Sequence, residues 1–385
     1  MTAVDPTLLA DVRSRLSSGP DLPDDTALAQ ALRASGRLLG SEALADLTRA
    51  ARAELTGAGP LQELLESPGV TDVLVNGPHD VWVDHGDGLR RAGTRFAGPS
   101  AVRALAVRMA ALGGQRLDDA SPVVDARLPD GTRLHAAVEP VAPHGAVIAL
   151  RVLRQASLDL PALIRGGAAP AAWVPVLDGL VRGRANLLVT GGTGTGKTTL
   201  LAALVGLVGD DERIITVEEA RELAPVHPHV VALAARRPNV EGVGEVTLSD
   251  LVRGALRMRP DRIVLGECRG AEVRELLLAL NTGHDGGMAT VHANAAEHVP
   301  ARLEALAALA GMPRAAVAAQ AAAALDVVLH LRRRAGVRYL AQIATVGAAP
   351  SGGLAVRPVA TWDGTCADGP RYAAGWDDLV DRWVP

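Results

Sequence analysis

Asn186-Leu-Leu-Val-Thr-Gly-Gly-Thr-Gly-Thr-Gly-Lys-Thr-Thr199 decides how the chain is read. Its first half is a short apolar run that reads as a buried strand. In its second half Gly191 is followed by four residues and then Gly196-Lys197-Thr198, the spacing of a phosphate-binding P-loop. Thr199-Leu-Leu-Ala-Ala-Leu-Val205 then reads as a helix. Strand, loop and helix in that order are the context the motif requires.

Each residue type has a physical reason. Gly191, Gly192, Gly194 and Gly196 free the backbone to take positive φ and to bring successive N–H groups against a phosphate. Thr193 and Thr195 complete the loop, and the following helix, entered through Thr198 and Thr199, adds free donors and partial positive charge. Lys197 supplies a mobile point charge for β- and γ-phosphates, and Thr198 is placed to ligate a magnesium ion bridging them. Lys197 is also the only lysine in the chain. The expected ligand is Mg-ATP.

Outward from this stretch, 385 residues exceed one ordinary core and suggest two domains. The 48% hydrophobic content is ample for burial, whereas aromatics at 2% leave few platforms for stacking nucleic-acid bases. A net charge of −4 gives no general attraction to DNA or anionic lipid. Cys268 and Cys366 lie far apart without metal-ligand spacing, which fits a reducing cytoplasm. The first residues lack the regions of a signal peptide, and no uninterrupted apolar run reaches ~18 residues, so membrane association is expected only through a partner.

Residues 1–56 read as a helical prelude, with Leu8, Leu9, Val12 and Leu16 at helical spacing. Residues 57–154 read as a compact α+β domain. Val70–Gly77 and Asp80–Asp84 look like strands joined by a turn, Ala101–Leu112 like an amphipathic helix, and Val147–Leu153 like a further strand. In Thr132–Val138 alternation sends Leu134, Ala136 and Val138 to one face and Arg133 with His135 to the other. Arg127 precedes the turn Pro129-Asp-Gly131 and Arg151 lies in the last strand; on residue type alone these three arginines suit a solvated or carboxylate-paired surface.

Residues 155–170 read as a linker. From 171 to 345 strands and helices alternate, which predicts a mostly parallel sheet covered on both faces, with ligands at the carboxyl ends of the strands. Arg213–Ala220 is a strand ending in Glu218 and Glu219. Asp261–Arg269 is a second apolar strand ending in Gly266-Glu267, where an acid can hold the magnesium shell or orient the attacking water. His284 lies in a glycine-rich turn, and His292 closes the strand Met288–Val291, where a histidine can donate to a γ-phosphate. The alanine-rich 301–326 reads as helical packing, and 346–385 as a tail whose Trp362, Trp376 and Trp383 cover the domain's own surface.

Gly191–Thr199, Thr216-Val-Glu-Glu219, Arg259–Gly270 and Thr282–Asn294 resemble, in order, the Walker A, Asp box, Walker B and His box of the type II/IV secretion ATPases. The branch most similar is the Tad/CpaF pilus-assembly group, on Val70–Gly77, Pro122–His135 and Asn239–Thr247 as well. The resemblance implies an α/β chain with a RecA-like P-loop ATPase domain, a smaller N-terminal α+β domain and a helical prelude. It implies a homo-hexameric ring, cytoplasmic and peripheral to the inner face of the membrane through a platform protein, hydrolysing ATP with Mg2+ to power pilus assembly or secretion.

Residue by residue, the resemblance nominates Arg127, Arg133 and Arg151 as phosphate contacts and Glu218, Glu267, His284 and His292 as catalytic candidates, with Thr198 and Glu267 toward the metal. The chain departs from the family at Glu219, where the Asp box has aspartate, and at Cys268. The same engine could serve conjugal DNA transfer, or act as a nucleotide-gated scaffold.

Overall fold

The computed structural model describes residues 6–16, 25–35, 40–152, 158–238, 241–334, 336–350, 352–365 and 369–384. Leu153, Asn239 and Cys366 fall outside them. The chain divides into two compact units, Met1–Arg154 and Gln155–Pro385.

The first unit opens with α1 (Pro6–Leu16), α2 (Asp25–Ala34) and α3 (Ser41–Leu55). They share a small core of Leu8, Val12, Leu28, Leu32, Leu44 and Ala51, the helical-period apolar residues of the prelude. After the short α4 (Gln62–Glu66) come β1 (Asp72–Gly77), β2 (Asp80–Asp84), β3 (Leu89–Arg91), α5 (Pro99–Leu112), β4 (Val123–Arg127), β5 (Arg133–Ala137) and β6 (Val147–Arg151). These strands form one antiparallel sheet in the order β3-β2-β1-β6-β5-β4. Alternation sends Val73, Val75, Val81, Val83, Leu134, Ala136, Ile148 and Leu150 into a core with Val102, Leu105 and Met109 of α5. Arg133 and His135 point the other way, as the pattern of 132–138 predicts.

The second unit begins inside the stretch read as a linker. Asp159 accepts a hydrogen bond from the Ala162 N–H at 2.7 Å and caps α6 (Leu160–Arg165). Leu160 is buried in this unit's core, with Leu163 and Ile164 packed against it. A capped apolar turn with a surface to cover folds onto it, so 158–170 is part of the domain.

Then follow α7 (Val174–Arg182), β7 (Leu187–Gly191), α8 (Lys197–Val205), β8 (Ile214–Glu218), β9 (Val230–Ala234), α9 (Leu248–Ala255), β10 (Arg262–Cys268), α10 (Val273–Leu280), β11 (Met288–Val291), α11 (Val299–Leu309), α12 (Arg314–Ala324), β12 (Val327–Arg334), β13 (Val337–Ala348), β14 (Leu354–Thr361), β15 (Arg371–Tyr372) and α13 (Trp376–Trp383). The sheet order is β15-β14-β13-β12-β7-β11-β10-β8-β9. From β12 to β9 the strands are parallel, and the last three are antiparallel.

Helices cover both faces. Leu187 and Val189 share one core with α7 and α8, whereas Leu188 faces the other with α10, α11 and α12. Asn186, at the start of β7, donates to the Ala324 carbonyl at 2.7 Å and accepts from the Gly287 N–H at 3.0 Å. Its own N–H reaches Asp326 at 3.0 Å. One buried amide thus fixes the bases of β7, β11 and β12, whose opposite ends carry the site.

Residues 346–385, read as a tail, complete this unit: β13 runs to Ala348, β14 and β15 extend the sheet, and α13 packs on it. Trp362 is buried, with Trp376 and Trp383 against the same core. The expectation that these tryptophans cover the domain's own surface holds for its described residues.

Candidate nucleotide site

The loop between β7 and α8 has the backbone that its glycines predict. Gly194 and Gly196 take φ of 70° and 94°, the left-handed region that favours glycine. At Gly191, φ is 151° and a Cβ would come within 2.7 Å of the Leu331 carbonyl, so the neighbouring strand excludes a side chain as well. Thr195 Oγ1 donates to the Gly192 carbonyl at 2.9 Å, tightening the loop. Lys197 is 7% exposed, and its Nζ donates to the Gly191 and Gly192 carbonyls at 3.2 and 2.9 Å. Burial lowers its pKa, with the Glu267 charge opposing. A lysine turned into its own loop satisfies its charge on backbone oxygens, a role that phosphate oxygens fill better.

Because β11 lies between β7 and β10, the end of β11 brings His292 between the loop and Glu267. His292 Nε2 is 3.4 Å from Lys197 Nζ and 2.9 Å from Glu267 Oε1. Glu267 Oε2 accepts from Arg269 Nη2 at 2.6 Å, and Arg269 Nη1 reaches Glu219 Oε2 at 3.4 Å. Burial alone would raise the Glu267 carboxyl, but the Arg269 hydrogen bond, followed by the charges of Arg269, His292 and Lys197, holds it below the usual range. Burial, then Lys197, lowers the His292 pKa, so the ring is neutral near pH 7. An ionised acid, a neutral imidazole and a buried ammonium therefore stand in line at three adjacent strand ends.

The donor set suits magnesium more than a softer metal. Among the described residues no group of three or more His, Cys, Asp or Glu side chains is arranged to cage an ion. A Thr198 hydroxyl beside phosphate oxygens and a nearby ionised carboxylate is the sparse oxygen set that a hydrated Mg2+ takes. Glu267 Oε2 is held by Arg269, whereas its buried Oε1, 2.9 Å from His292 Nε2, completes no hydrogen bond among the described residues, which fits holding or orienting water next to the ion.

The other nominated residues stand outside the Lys197–His292–Glu267 line, Glu218 beside it. Glu218 is 3% exposed, and its Oε1 accepts from the Glu222 and Leu223 N–H groups, both at 2.9 Å, an anchor for the loop after β8. Its side chain lies against Gly266, where a Cβ would come within 2.6 Å of Cγ. His284 precedes β11, at the opposite end of the strand from His292, and the turn holding it does not bring it to the loop of its own chain. In the first unit, register aligns Arg127 with Arg133, Arg133 with Arg151, and Arg151 with Asp72. Three arginines thus form one row across neighbouring strands, ending in an Arg151–Asp72 ion pair of 3.0 Å.

Sequence reasoning missed Arg269, His330 and the arginines of Arg332-Arg-Arg-Ala-Gly-Val-Arg338. The available signal was four arginines in seven residues around a glycine turn between two apolar runs. Cys268, expected to pack without chemistry, is buried with its thiol pKa raised by burial.

The family model described as "Type II/IV secretion system protein" matches residues 54–348. The chain is 58% identical over 313 residues to a Mycobacterium tuberculosis protein named "Putative conjugal transfer protein", covering 80% of this chain and 89% of that one. It is 32% identical over 305 residues to the type IV secretion system protein PtlH of Bordetella pertussis, covering 72% and 89%. Its fold is similar to the crystal structure of the pilus retraction motor PilT with bound ADP, at TM-score 0.51 and 20% identity over 82% of each chain. With a phosphate loop, an acid and a histidine at adjacent strand ends inside the matched region, this chain belongs to the type II/IV secretion ATPase family.

Proposed function

We propose that the chain works as a homo-hexameric motor, hydrolysing Mg-ATP on the cytoplasmic side of a membrane machine that assembles a Tad-like pilus or secretes protein. The observation that carries this reading is the line Lys197–His292–Glu267 held by Arg269. The loop N–H groups, the start of α8 and Lys197 take the triphosphate; His292 donates to the γ-phosphate and registers its presence; Glu267 orients the attacking water. Magnesium, held by Thr198 and the phosphates, would neutralise charge that develops on the phosphate oxygens. The Arg127–Arg133–Arg151 row is a further candidate set for phosphate contact, since planar guanidinium forks pair with phosphate oxygens. No helix among the described residues is long and apolar enough to cross a membrane, so attachment to the machine falls to an inner-membrane platform protein.

A second reading, conjugal DNA transfer, is favoured by the likeness to the Mycobacterium tuberculosis protein named for that process, while the net charge of −4 weighs against it. Both are tested by the ATP hydrolysis rate per subunit across a protein concentration series, with and without DNA, alongside sizing. A rate that climbs to a plateau as hexamers form supports the ring motor. Stimulation by DNA moves the assignment to conjugal transfer, and a rate that tracks a stable monomer rejects the ring.

A further inference from the structure

The two acids at the end of β8 have different surroundings. Glu218 is buried and anchors the loop behind it. Glu219, the position at which the chain departs from its family, has a side chain 41% exposed and reaches Arg269, just past β10. Because the sheet runs β10-β8-β9, the ends of these three strands lie side by side, and charges of alternating sign cross them. Arg269 Nη2 donates to Glu267 Oε2 at 2.6 Å, Arg269 Nη1 reaches Glu219 Oε2 at 3.4 Å, and Arg237 Nη2, beyond β9, stands 4.0 Å from Glu219 Oε1. The segment that carries Arg237 is pinned. The Ala235 N–H donates to the Glu218 carbonyl at 2.9 Å, and Arg236 and Val246 exchange backbone hydrogen bonds of 3.0 and 2.9 Å.

We infer that Glu219 is a positioning residue for hydrolysis: by drawing one arm of the Arg269 guanidinium aside, it keeps that arginine on a single oxygen of Glu267 and leaves the other oxygen for the attacking water. This rests on the water-orienting role proposed for Glu267.

A guanidinium beside a carboxylate commonly engages both oxygens through two parallel N–H···O bonds. Arg269 instead divides its two Nη atoms between carboxylates on two strand ends. Glu267 Oε1 is consequently left buried without a completed hydrogen bond among the described residues, although His292 Nε2 lies 2.9 Å away. An oxygen in that state is costly, and a water bridging it to the γ-phosphate offsets the cost. Without the Glu219 charge both Nη atoms would be available to Glu267, and a bidentate pair would occupy the oxygen that the water needs. Arg237 sets a second cation against the other Glu219 oxygen, so this carboxylate is approached from both sides. Exposed ion pairs add little to stability, so the effect of Glu219 belongs to the placing of Glu267 rather than to folding.

The test is steady-state ATP hydrolysis by the full chain carrying Glu219→Ala, Glu219→Asp, Arg269→Ala and Glu219→Ala/Arg269→Ala, with Glu267→Gln as control and thermal unfolding as a check on folding. Glu219→Ala is expected to lower kcat about tenfold with KM held within about twofold, and Glu219→Asp, which keeps the charge, to recover most of the loss. Because the carboxylate acts through Arg269, adding Glu219→Ala to Arg269→Ala should change kcat by less than about twofold. An unchanged kcat in Glu219→Ala overturns the inference, as does a loss confined to KM or a loss of the same size on top of Arg269→Ala. Where Arg269→Ala turns over too slowly for that comparison, failure of Glu219→Asp to recover activity overturns it. If Glu267→Gln keeps its turnover, the water-orienting reading itself fails, and this inference with it.

Discussion

At the scale of the residue, the site turns on one atom with two suitors. His292 Nε2 faces the Lys197 ammonium at 3.4 Å and the Glu267 carboxylate at 2.9 Å. A single ring nitrogen cannot accept from one while donating to the other, so one of the two contacts is poorly used. On the proposed reading a γ-phosphate would resolve the conflict by drawing off the ammonium. Glu267 then remains ionised next to the phosphate, held so by Arg269 despite its burial. Glu267→Gln preserves shape but removes the charge proposed to orient water. Turnover is expected to fall at least about a hundredfold while ATP affinity stays within a few-fold. Phosphate release and nucleotide binding, measured on the same sample, check this; loss of ATP binding would show that Glu267 holds the loop rather than the water. Sequence alone named Lys197, Glu267 and His292 because glycine spacing and apolar runs ending in polar residues are local patterns. Arg269 stayed hidden, since an arginine two residues past an acid is unremarkable until β10 curls both side chains together.

At the scale of the element, strand order makes the difference between listing residues and locating them. Alternation in 132–138 was legible, and Leu134, Ala136 and Val138 are buried as it requires. The placing of β6 between β1 and β5 was not, because it joins segments about 70 residues apart, and no local pattern encodes a register of that range. That register turns three separate arginines into one row. The same holds in the second unit, where β11 separates β7 from β10 and so sets His292, rather than His284, between Lys197 and Glu267. The arginine row ends in the Arg151–Asp72 ion pair, and whether it also serves phosphate, as proposed, is open to a direct test. If the row contacts phosphate, Arg127→Ala with Arg133→Ala should lower ATP turnover by about tenfold while the fold stays intact. Paired measurements of hydrolysis rate and thermal unfolding decide it; an unchanged rate returns the row to the solvated surface.

At the scale of the whole molecule, the last residues of the chain act on the first residues of the phosphate-binding stretch. Arg382 Nη2 reaches Asp326 at 2.9 Å, and the same carboxylate accepts the Asn186 N–H at 3.0 Å, where β7 begins. The scattered glycine, proline and tryptophan of 346–385 hid this, because each strand and helix there finds its partner only in the finished sheet. α13 lies so close to α7 that Gly183 leaves no room for a methyl group: a Cβ would come within 2.7 Å of the Trp383 ring and 2.9 Å of the Gly179 carbonyl. Gly183 has φ of −73°, an ordinary value for alanine. On backbone grounds Gly183→Ala would therefore stabilise by about 0.4–1 kcal/mol through the unfolded state. Overpacking against Trp383 reverses the sign, with an expected cost of about 1–3 kcal/mol. Denaturant unfolding of Gly183→Ala, Trp383→Ala and the double variant separates the two effects. If α13 is clamped as described, Gly183→Ala destabilises the parent chain, and the share of that cost due to the Trp383 ring disappears once Trp383 is alanine, while the contact with the Gly179 carbonyl remains. A stabilising Gly183→Ala in the parent would mean that the C-terminal helix is not held against α7 in solution, and that the chain end has no grip on the base of β7.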